Sequence, residues 1–261
     1  MSAGLALLPI KMAIAASVVV GCSLLAERSG PLIAAMIATL PISLGPVLVF
    51  LALDHDAAFI ADSALGTLNA NLSHAGFVLS YVLLAQRRRT FASLVGALAV
   101  WVAGLVVVRA LALPALPLAA LTVVAFVVVH MLVRPYLSAR ASGPVTISRY
   151  ALPIRAGCVA ALVGIVTVAA ERVGPIWSGV LAGLPIVLSS LIVILQPRIG
   201  GKATAAMIGS GALGLLGVAL GLVVVNLMAV PFGSWVALGS GLAVPVVWNL
   251  IVTGFSRRLA P

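Results

Sequence analysis

Charge is scarce in this 261-residue chain: 8% of its residues are Asp, Glu, Lys or Arg, and only five are acidic. A water-soluble domain is about a quarter charged, so this chain has too few polar side chains to cover a surface that faces water. Aromatic residues are also few, at 5%. The remaining sequence is rich in Ala, Val, Leu and Gly, which favours spanning helices packed through small residues. The composition therefore predicts an all-α, polytopic membrane protein.

Residues that carry chemistry are equally few. The two cysteines, Cys22 and Cys158, lie in apolar segments and form neither a metal-binding spacing nor a disulfide framework. The stretch Leu-Asp-His-Asp at 53–56 predicts an exposed polar turn, because adjacent side chains cannot all point at one ion. No phosphate loop, nucleophile triad or metal cluster is recognisable. The sequence therefore predicts no enzyme, no metal and no cofactor.

The distribution of basic residues indicates how the chain crosses the bilayer. Apolar length and breaks at Pro, Gly or charge predict nine spans, at 10–26, 31–53, 57–86, 90–112, 115–133, 152–170, 175–196, 203–229 and 232–254. The connections after spans 1, 3, 5 and 7, with the C-terminal tail, contain twelve of the fifteen Lys and Arg residues. Positive charge concentrates on the cytoplasmic side. We therefore expect a multi-pass inner (plasma) membrane protein with its N-terminus outside and its C-terminus in the cytoplasm. The net charge of +10 then marks topology and predicts no nucleic-acid partner.

A repeat organises the chain. Residues 8–51 align with 152–195 at an offset of 144 without gaps, and 17 of the 44 positions are identical. The phrase LAERSGPLIAAMIATLP returns as AAERVGPIWSGVLAGLP. The alignment predicts four spans (1–112), a linking span and loop (113–150) and four more spans (151–261). Five spans separate equivalent elements, and an odd number places the halves upside down. Such 4+1+4 inverted-topology repeats are typical of secondary transporters. Residues 11–22 have the outline of a signal peptide, but the repeat favours a retained span.

A candidate substrate site follows from prolines near the middle of spans 2 and 7. A proline inside a helix removes a backbone hydrogen bond, and paired interrupted helices point to a site at the membrane midplane. We expect substrate-binding residues at Pro41, Ser43, Pro185, Ser189 and Ser190, with Asn69 and Ser73 of the polar third span closing one wall. The alternatives are simple proline kinks and, for span 3, hydrogen bonds between helices.

Charged residues near span ends suggest a second group of candidates. Glu27 and Arg28 are repeated as Glu171 and Arg172, and with Asp62 they are candidates for proton coupling or charge pairing. Lys11 and Arg155 are also equivalent and offer cations to an anionic substrate. The alternative for all of these residues is anchoring at the membrane surface.

Each half combines a basic start, a charged end of its first span and a second span broken at Leu-Pro, and the second half has a late Trp248. In these features each half resembles the GlpM-like four-span inner-membrane proteins. The resemblance implies an architecture in which four-span units pair antiparallel, fused here into one chain. It implies no particular chemistry.

Three functions are compatible with these features. The first is a secondary transporter of a small, anionic solute that works by alternating access between inverted repeats. The second is a lipid or polyprenyl-phosphate translocase, which would have a lateral groove open to the bilayer and basic residues at both leaflets. The third is a non-transporting membrane scaffold. The expected partners are the lipid bilayer and a small-molecule or lipid-like substrate; the oligomeric state stays open, with a homodimer among the options.

Overall fold

The computed structural model describes residues 7–28, 42–139 and 151–258, without the side chains of 26–28, 151 and 252–258. These parts of the chain are helical, with no β-strand among them. The helices are α1 (Leu8–Arg28), α2 (Leu44–Asp54), α3 (Ala57–Leu84), α4 (Thr90–Leu111), α5 (Ala115–Val133), α6 (Ala151–Ala182), α7 (Ile186–Ile199), α8 (Gly201–Ser210), α9 (Ala212–Phe232) and α10 (Ser234–Arg258).

Six helical segments of the described chain are long and apolar enough to cross a bilayer. They are Leu8–Leu25, Thr90–Leu111, Ala115–Tyr136, Leu152–Ile199, Gly201–Phe232 and Ser234–Ile251. A span needs about 20 predominantly apolar residues. Two of these segments are much longer because each joins two consecutive helices, α6 with α7 and α8 with α9. The prediction of an all-α, multi-pass membrane protein is confirmed at this level.

The central helix is α3, which contains a row of polar side chains. It packs against α4, α5, α6, α8 and α9, and its polar residues Thr67, Asn69, Asn71 and Ser73 are all buried. Water is absent from a bilayer core, so polar groups there must find partners inside the protein. Enclosure by the other helices explains how such a polar helix can lie within a membrane protein.

The surrounding helices expose apolar side chains on their outer faces, where the helices of a soluble bundle expose polar ones. In α4, only one stripe is buried, and it consists of Ser93, Ala97, Trp101, Leu105 and Val108. The rest of that helix exposes large apolar side chains, among them Val106 and Val107. Exposed apolar surface on this scale marks contact with lipid.

Glycine forms the tight connections in the second half. Gly174, Gly200 and Gly233 have φ of 75°, 84° and 85° with ψ of 176°, 161° and 155°. This backbone region is essentially restricted to glycine. Gly174 interrupts α6 directly before Pro175, so the predicted sixth span and the first half of the predicted seventh span form one element with a sharp bend. The predicted eighth span comprises α8 and α9, which meet at Gly211.

Candidate functional site

A close crossing between α3 and residues 175–183 forms the centre of the molecule. Gly66 of α3 lies against the backbone of Ile176, and Gly179 lies against the backbone of Ser63. A Cβ atom on either glycine would overlap the carbonyl oxygen of that neighbour. Small residues permit such backbone-to-backbone contact between spanning helices, and Gly179 and Gly183 have the Gly-x-x-x-Gly spacing typical of it.

Two hydroxyl groups of α3 bridge this crossing. Ser63 Oγ donates to the carbonyl oxygen of Pro175 at 3.1 Å. Thr67 Oγ1 lies 2.9 Å from the carbonyl oxygen of Gly179 and also 2.9 Å from that of Ser63. Backbone carbonyls next to a proline and a glycine bend therefore have side-chain partners, as the bilayer interior requires.

The helix that begins at Pro175 is interrupted at Gly183–Pro185. The amide of Gly183 still donates to the carbonyl oxygen of Gly179 at 3.0 Å, and α7 then begins at Ile186 with Pro185 as its N-cap residue. Pro185 has no amide hydrogen and is buried. The predicted interruption of the second half's broken span is therefore present, and Pro41, its counterpart, lies outside the described residues.

The interruption lies against the middle of α3. A Cβ atom on Gly183 would be 2.6 Å from Ala70 Cβ, so the bend and this residue are in direct contact. One turn further along α3 is His74, which is 8% exposed and whose Nδ1 lies 2.7 Å from the carbonyl oxygen of Ala70. Trp101 Nε1 donates to the same oxygen at 3.2 Å, and its ring meets the His74 ring edge-on at 6.1 Å.

The same face of α3 continues to the second half-helix. Tyr81 Oη donates to Gln196 Oε1 at 3.0 Å, and Gln196 Nε2 donates to the carbonyl oxygen of Arg88 at 3.2 Å. Residues 67, 70, 74 and 81 follow the three-and-four spacing of one helix face. Thr67 and Tyr81 therefore contact the interrupted helix on the two sides of its bend.

Two of the predicted serines, Ser189 and Ser190, lie in α7 shortly after the bend. Ser190 is buried and its Oγ donates to the carbonyl oxygen of Val187 at 2.8 Å, whereas Ser189 is half-buried. Ser43 lies directly before α2, half-buried, and makes no capping hydrogen bond. The structure therefore brings Pro185, Ser189 and Ser190 together by chain proximity, with Ser43 at the start of the equivalent half-helix.

The predicted wall residues of α3 belong to a different face from His74. Asn69 Nδ2 donates to the carbonyl oxygen of Leu65 at 2.7 Å, and Ser73 Oγ donates to that of Asn69 at 3.1 Å. Ser73 packs beside Gly104 of α4. Asn69 and Ser73 are thus bonded within their own helix, while Asp62 is exposed.

The predicted charged residues are dispersed. Lys11, only 5% exposed, forms a salt bridge with Asp54 across α1 and α2, with Nζ 2.5 Å from Oδ2. Glu171 and Arg172 are exposed and Arg155 is half-buried. Glu27 and Arg28 end α1, and their side chains lie outside the described part. The structure therefore gathers none of the described members of this group around the bend.

A groove opens between α1 and α6 on the outside of the bundle. Its volume is about 590 Å³, and its walls are apolar except for Arg172. The lining residues are Leu8, Met12, Ala161, Gly164, Ile165, Val168, Ala169, Arg172 and Val173. A smaller apolar cleft of about 80 Å³ lies between α2, α9 and α10.

The sequence predicts Asn69 and Ser73 as the wall of the site, whereas the polar side chains of α3 that contact the interrupted helix are Ser63, Thr67 and Tyr81. A signal for the last group was present, because Ser63, Thr67, Ala70, His74 and Tyr81 recur at helical spacing and Gly179 and Gly183 offer a close-packing surface opposite. Within the described residues there is no cluster of three or more His, Cys, Asp or Glu side chains that could hold a metal ion.

Comparison with known proteins adds no identification. No family model, curated protein or solved structure matches the chain.

Proposed function

We propose that this protein is a secondary transporter that works by alternating access between two inverted repeats. The observation that carries the proposal is the interrupted helix, α6 to α7, which packs backbone to backbone against a buried polar helix at Gly179, one turn before its bend. Discontinuous helices at corresponding places of two repeats form the substrate sites of several transporter folds. The functional centre in this proposal is the bend at Gly183–Pro185 together with its repeat counterpart around Pro41.

The helix bounds support a duplication. Ala57 and Gly201 begin α3 and α8 and are 144 residues apart, as are Thr90 and Ser234, which begin α4 and α10. This is the offset of the sequence alignment. The packing partners are also paired: α3 packs on α4 as α9 packs on α10, and α4 packs on α7 as α10 packs on α2. Two further contacts join equivalent helices of the two halves. Helix α1 packs on α6, and helix α3 packs on α9.

The contacts between distant segments support the opposite orientation of the halves. Lys11 meets Asp54, and Asn226 Nδ2 donates to the carbonyl oxygen of Ala61 at 2.8 Å. The nine-span topology assigns these four residues to the outer side. Gln196 and Arg88, which the topology assigns to the inner side, are also in contact. Each contact therefore joins segments of one predicted side.

An anionic solute suits the proposed centre. Helix α7 begins at the bend, and a helix N-terminus presents unpaired amide groups and a partial positive charge. The four described acidic residues, Asp54, Asp56, Asp62 and Glu171, are all exposed, so none of them is buried at the bend to oppose an anion. Ser189 and Ser190, near the start of α7, add hydroxyl groups that can exchange hydrogen bonds with a carboxylate or phosphate.

Alternating access can be tested without knowing the substrate. A single cysteine is introduced as S190C in a C22S/C158S background and reacted with a membrane-impermeant maleimide in right-side-out and inside-out vesicles. A transporter centre should react from both sides, each at a rate that P41A/P185A lowers. A scaffold would leave S190C unreactive from both sides, which would overturn the proposal.

The orientation needs a separate measurement. In the same background, a cysteine at Arg88 should be protected from the impermeant reagent in intact cells, and a cysteine at Asp56 should react. Reaction of position 88 from outside would refute the nine-span topology while leaving the interrupted helix in place.

The groove between α1 and α6 favours a second candidate, a lipid or polyprenyl-phosphate translocase. Such a protein needs a lateral opening to the bilayer and basic residues at both leaflets. The groove supplies an apolar lateral surface with Arg172 at one end, and the repeat assigns Arg28 as the counterpart of Arg172 at the opposite end of the bundle. Transport assays with a water-soluble anion and with a fluorescent anionic lipid separate the two candidates.

A further inference from the structure

The groove between α1 and α6 has the shape of one lipid leaflet. Its lining on α6 extends from Ala161 to Val173, which at 1.5 Å per residue is about 18 Å. Half of a hydrocarbon core of about 30 Å is about 15 Å. The groove therefore extends from one membrane surface to about the midplane.

The polar end of the groove is a single cation. Arg172 lines it together with Leu8 and Val173 and is exposed. Glu171, the adjacent acidic residue, does not contribute to the lining. Among the described residues the one ion pair joins Lys11 to Asp54, so no described carboxylate neutralises Arg172. The groove thus has apolar walls about as long as one lipid leaflet is thick, and a positive charge at the end that lies near the membrane surface.

We infer that this groove binds an anionic phospholipid, with an acyl chain lying along Met12, Ile165 and Val168 and the headgroup phosphate on Arg172. The apolar walls supply affinity for any acyl chain, because burying apolar surface is favourable whatever the headgroup. Arg172 supplies the preference for negative charge, through charge-assisted hydrogen bonds from its guanidinium to phosphate oxygens. The inference concerns lipid binding and does not depend on transport by the bend at Pro185.

Two substitutions separate the apolar and the polar contributions. Val168 lines the groove and is 41% exposed, so V168W fills the groove without disturbing the core. Ile154 is 43% exposed on the same helix and does not line the groove, so I154W is the matched control. R172Q removes the charge and leaves a shorter polar side chain that can still donate hydrogen bonds.

The experiment is native mass spectrometry of the purified protein after exchange into detergent with phosphatidylglycerol or phosphatidylcholine. We expect the wild type and I154W to retain one phosphatidylglycerol, and V168W to lose it. R172Q should lower the preference for phosphatidylglycerol about fivefold, because one basic residue near a membrane surface contributes about 1 kcal/mol. Inorganic phosphate at millimolar concentration should not displace the lipid, since a free ion gains nothing from the apolar walls.

Equal retention by V168W and the wild type would overturn the site, because the groove would then not hold the lipid. An unchanged headgroup preference in R172Q would overturn the assignment of the phosphate to Arg172. Displacement by inorganic phosphate would show a simple anion site and would equally contradict a lipid. Because the readout is bound lipid, either failure leaves the S190C accessibility test unaffected, and failure of that test leaves this result standing.

Discussion

The side-chain nitrogen Nδ2 of Asn71 lies 3.4 Å from the carbonyl oxygen of Leu215, and the two residues are 144 positions apart. The same offset aligns residues 8–51 with 152–195. Asn71 therefore contacts the residue that the repeat assigns as its own counterpart. Two equivalent points come together only near the axis that relates them, so this contact supports a pseudo-two-fold axis passing between α3 and α9.

Replacing Asn71 by Leu should stabilise the protein. Asn71 is 4% exposed, its Oδ1 has no hydrogen-bond partner, and its Nδ2 bond is long. A buried unsatisfied polar atom costs about 1–3 kcal/mol, so N71L should raise the free energy of unfolding by about 1 kcal/mol. Unfolding in mixed micelles measures this.

The matched control for that substitution is N226L. Asn226 Nδ2 donates to the carbonyl oxygen of Ala61 at 2.8 Å, so its loss should destabilise the protein. If N71L destabilises as much as N226L, Asn71 makes a stabilising contact and the prediction is wrong. A stabilised N71L protein that no longer exposes S190C to labelling would assign Asn71 to function.

Gly179→Ala should destabilise the protein, although replacing a glycine inside a helix by alanine is usually neutral or stabilising. Its Cβ would overlap the backbone of Ser63, which cannot move without shifting α3. Overpacking typically costs about 1–3 kcal/mol, and thermal unfolding in detergent should show a lower Tm. G157A on the same helix meets nothing within 4 Å, so it should leave the Tm unchanged or raise it slightly. Equal effects of the two substitutions would contradict the close crossing.

The salt bridge between Lys11 and Asp54 should be worth more than a surface pair. Lys11 is 5% exposed, and removing one partner of a buried pair costs about 3–5 kcal/mol. The Asp54 side chain is 24% exposed, so solvent screening lowers the expected loss for K11M to about 2 kcal/mol.

The charge swap K11D/D54K should recover part of that stability, whereas the exposed control K202M should change little. A double-mutant cycle on unfolding free energies isolates the pair's contribution. A coupling energy near zero would show that Lys11 and Asp54 act independently.

The bounds of three consecutive helices could be predicted from the sequence, because apolar runs end there at charged residues or prolines. Predicted spans 57–86, 90–112 and 115–133 agree with the bounds of α3, α4 and α5 within two residues, and α4 and α5 are also among the segments apolar enough to cross a bilayer. The angle between the two parts of α6 could not be predicted, because a single residue with positive φ, Gly174, connects them. Composition does not show how sharply one glycine bends a chain.

Asn69 and Ser73 do not mark the face of α3 that contacts α6. Asn69 and Ser73 have the polar character expected of a site, yet each bonds a carbonyl of its own helix. Side chains with this option do not need a neighbouring helix, so polarity alone does not identify the contact face. Lys11 likewise looked available for a substrate, because nothing in the sequence shows that the start of α1 adjoins the end of α2.

Replacing Pro185 by Ala should join the two half-helices. Proline within a helix costs about 3 kcal/mol, because it lacks an amide hydrogen and its ring clashes with the preceding turn. In P185A this penalty disappears, and the carbonyl oxygen of Leu181, which now accepts from Leu184 at 3.1 Å, gains an amide in the regular helical position. Amide hydrogen exchange should therefore slow at least about tenfold at residues 184–189, since each factor of ten corresponds to about 1.4 kcal/mol.

Pro245 provides the control for this substitution, because it lies inside α10 and that helix continues through it. P245A should therefore leave exchange at residues 184–189 unchanged. If P185A exchanges as fast as the wild type there, the bend is held by the contact between Gly183 and Ala70, and the proline is a consequence of the interruption and not its cause.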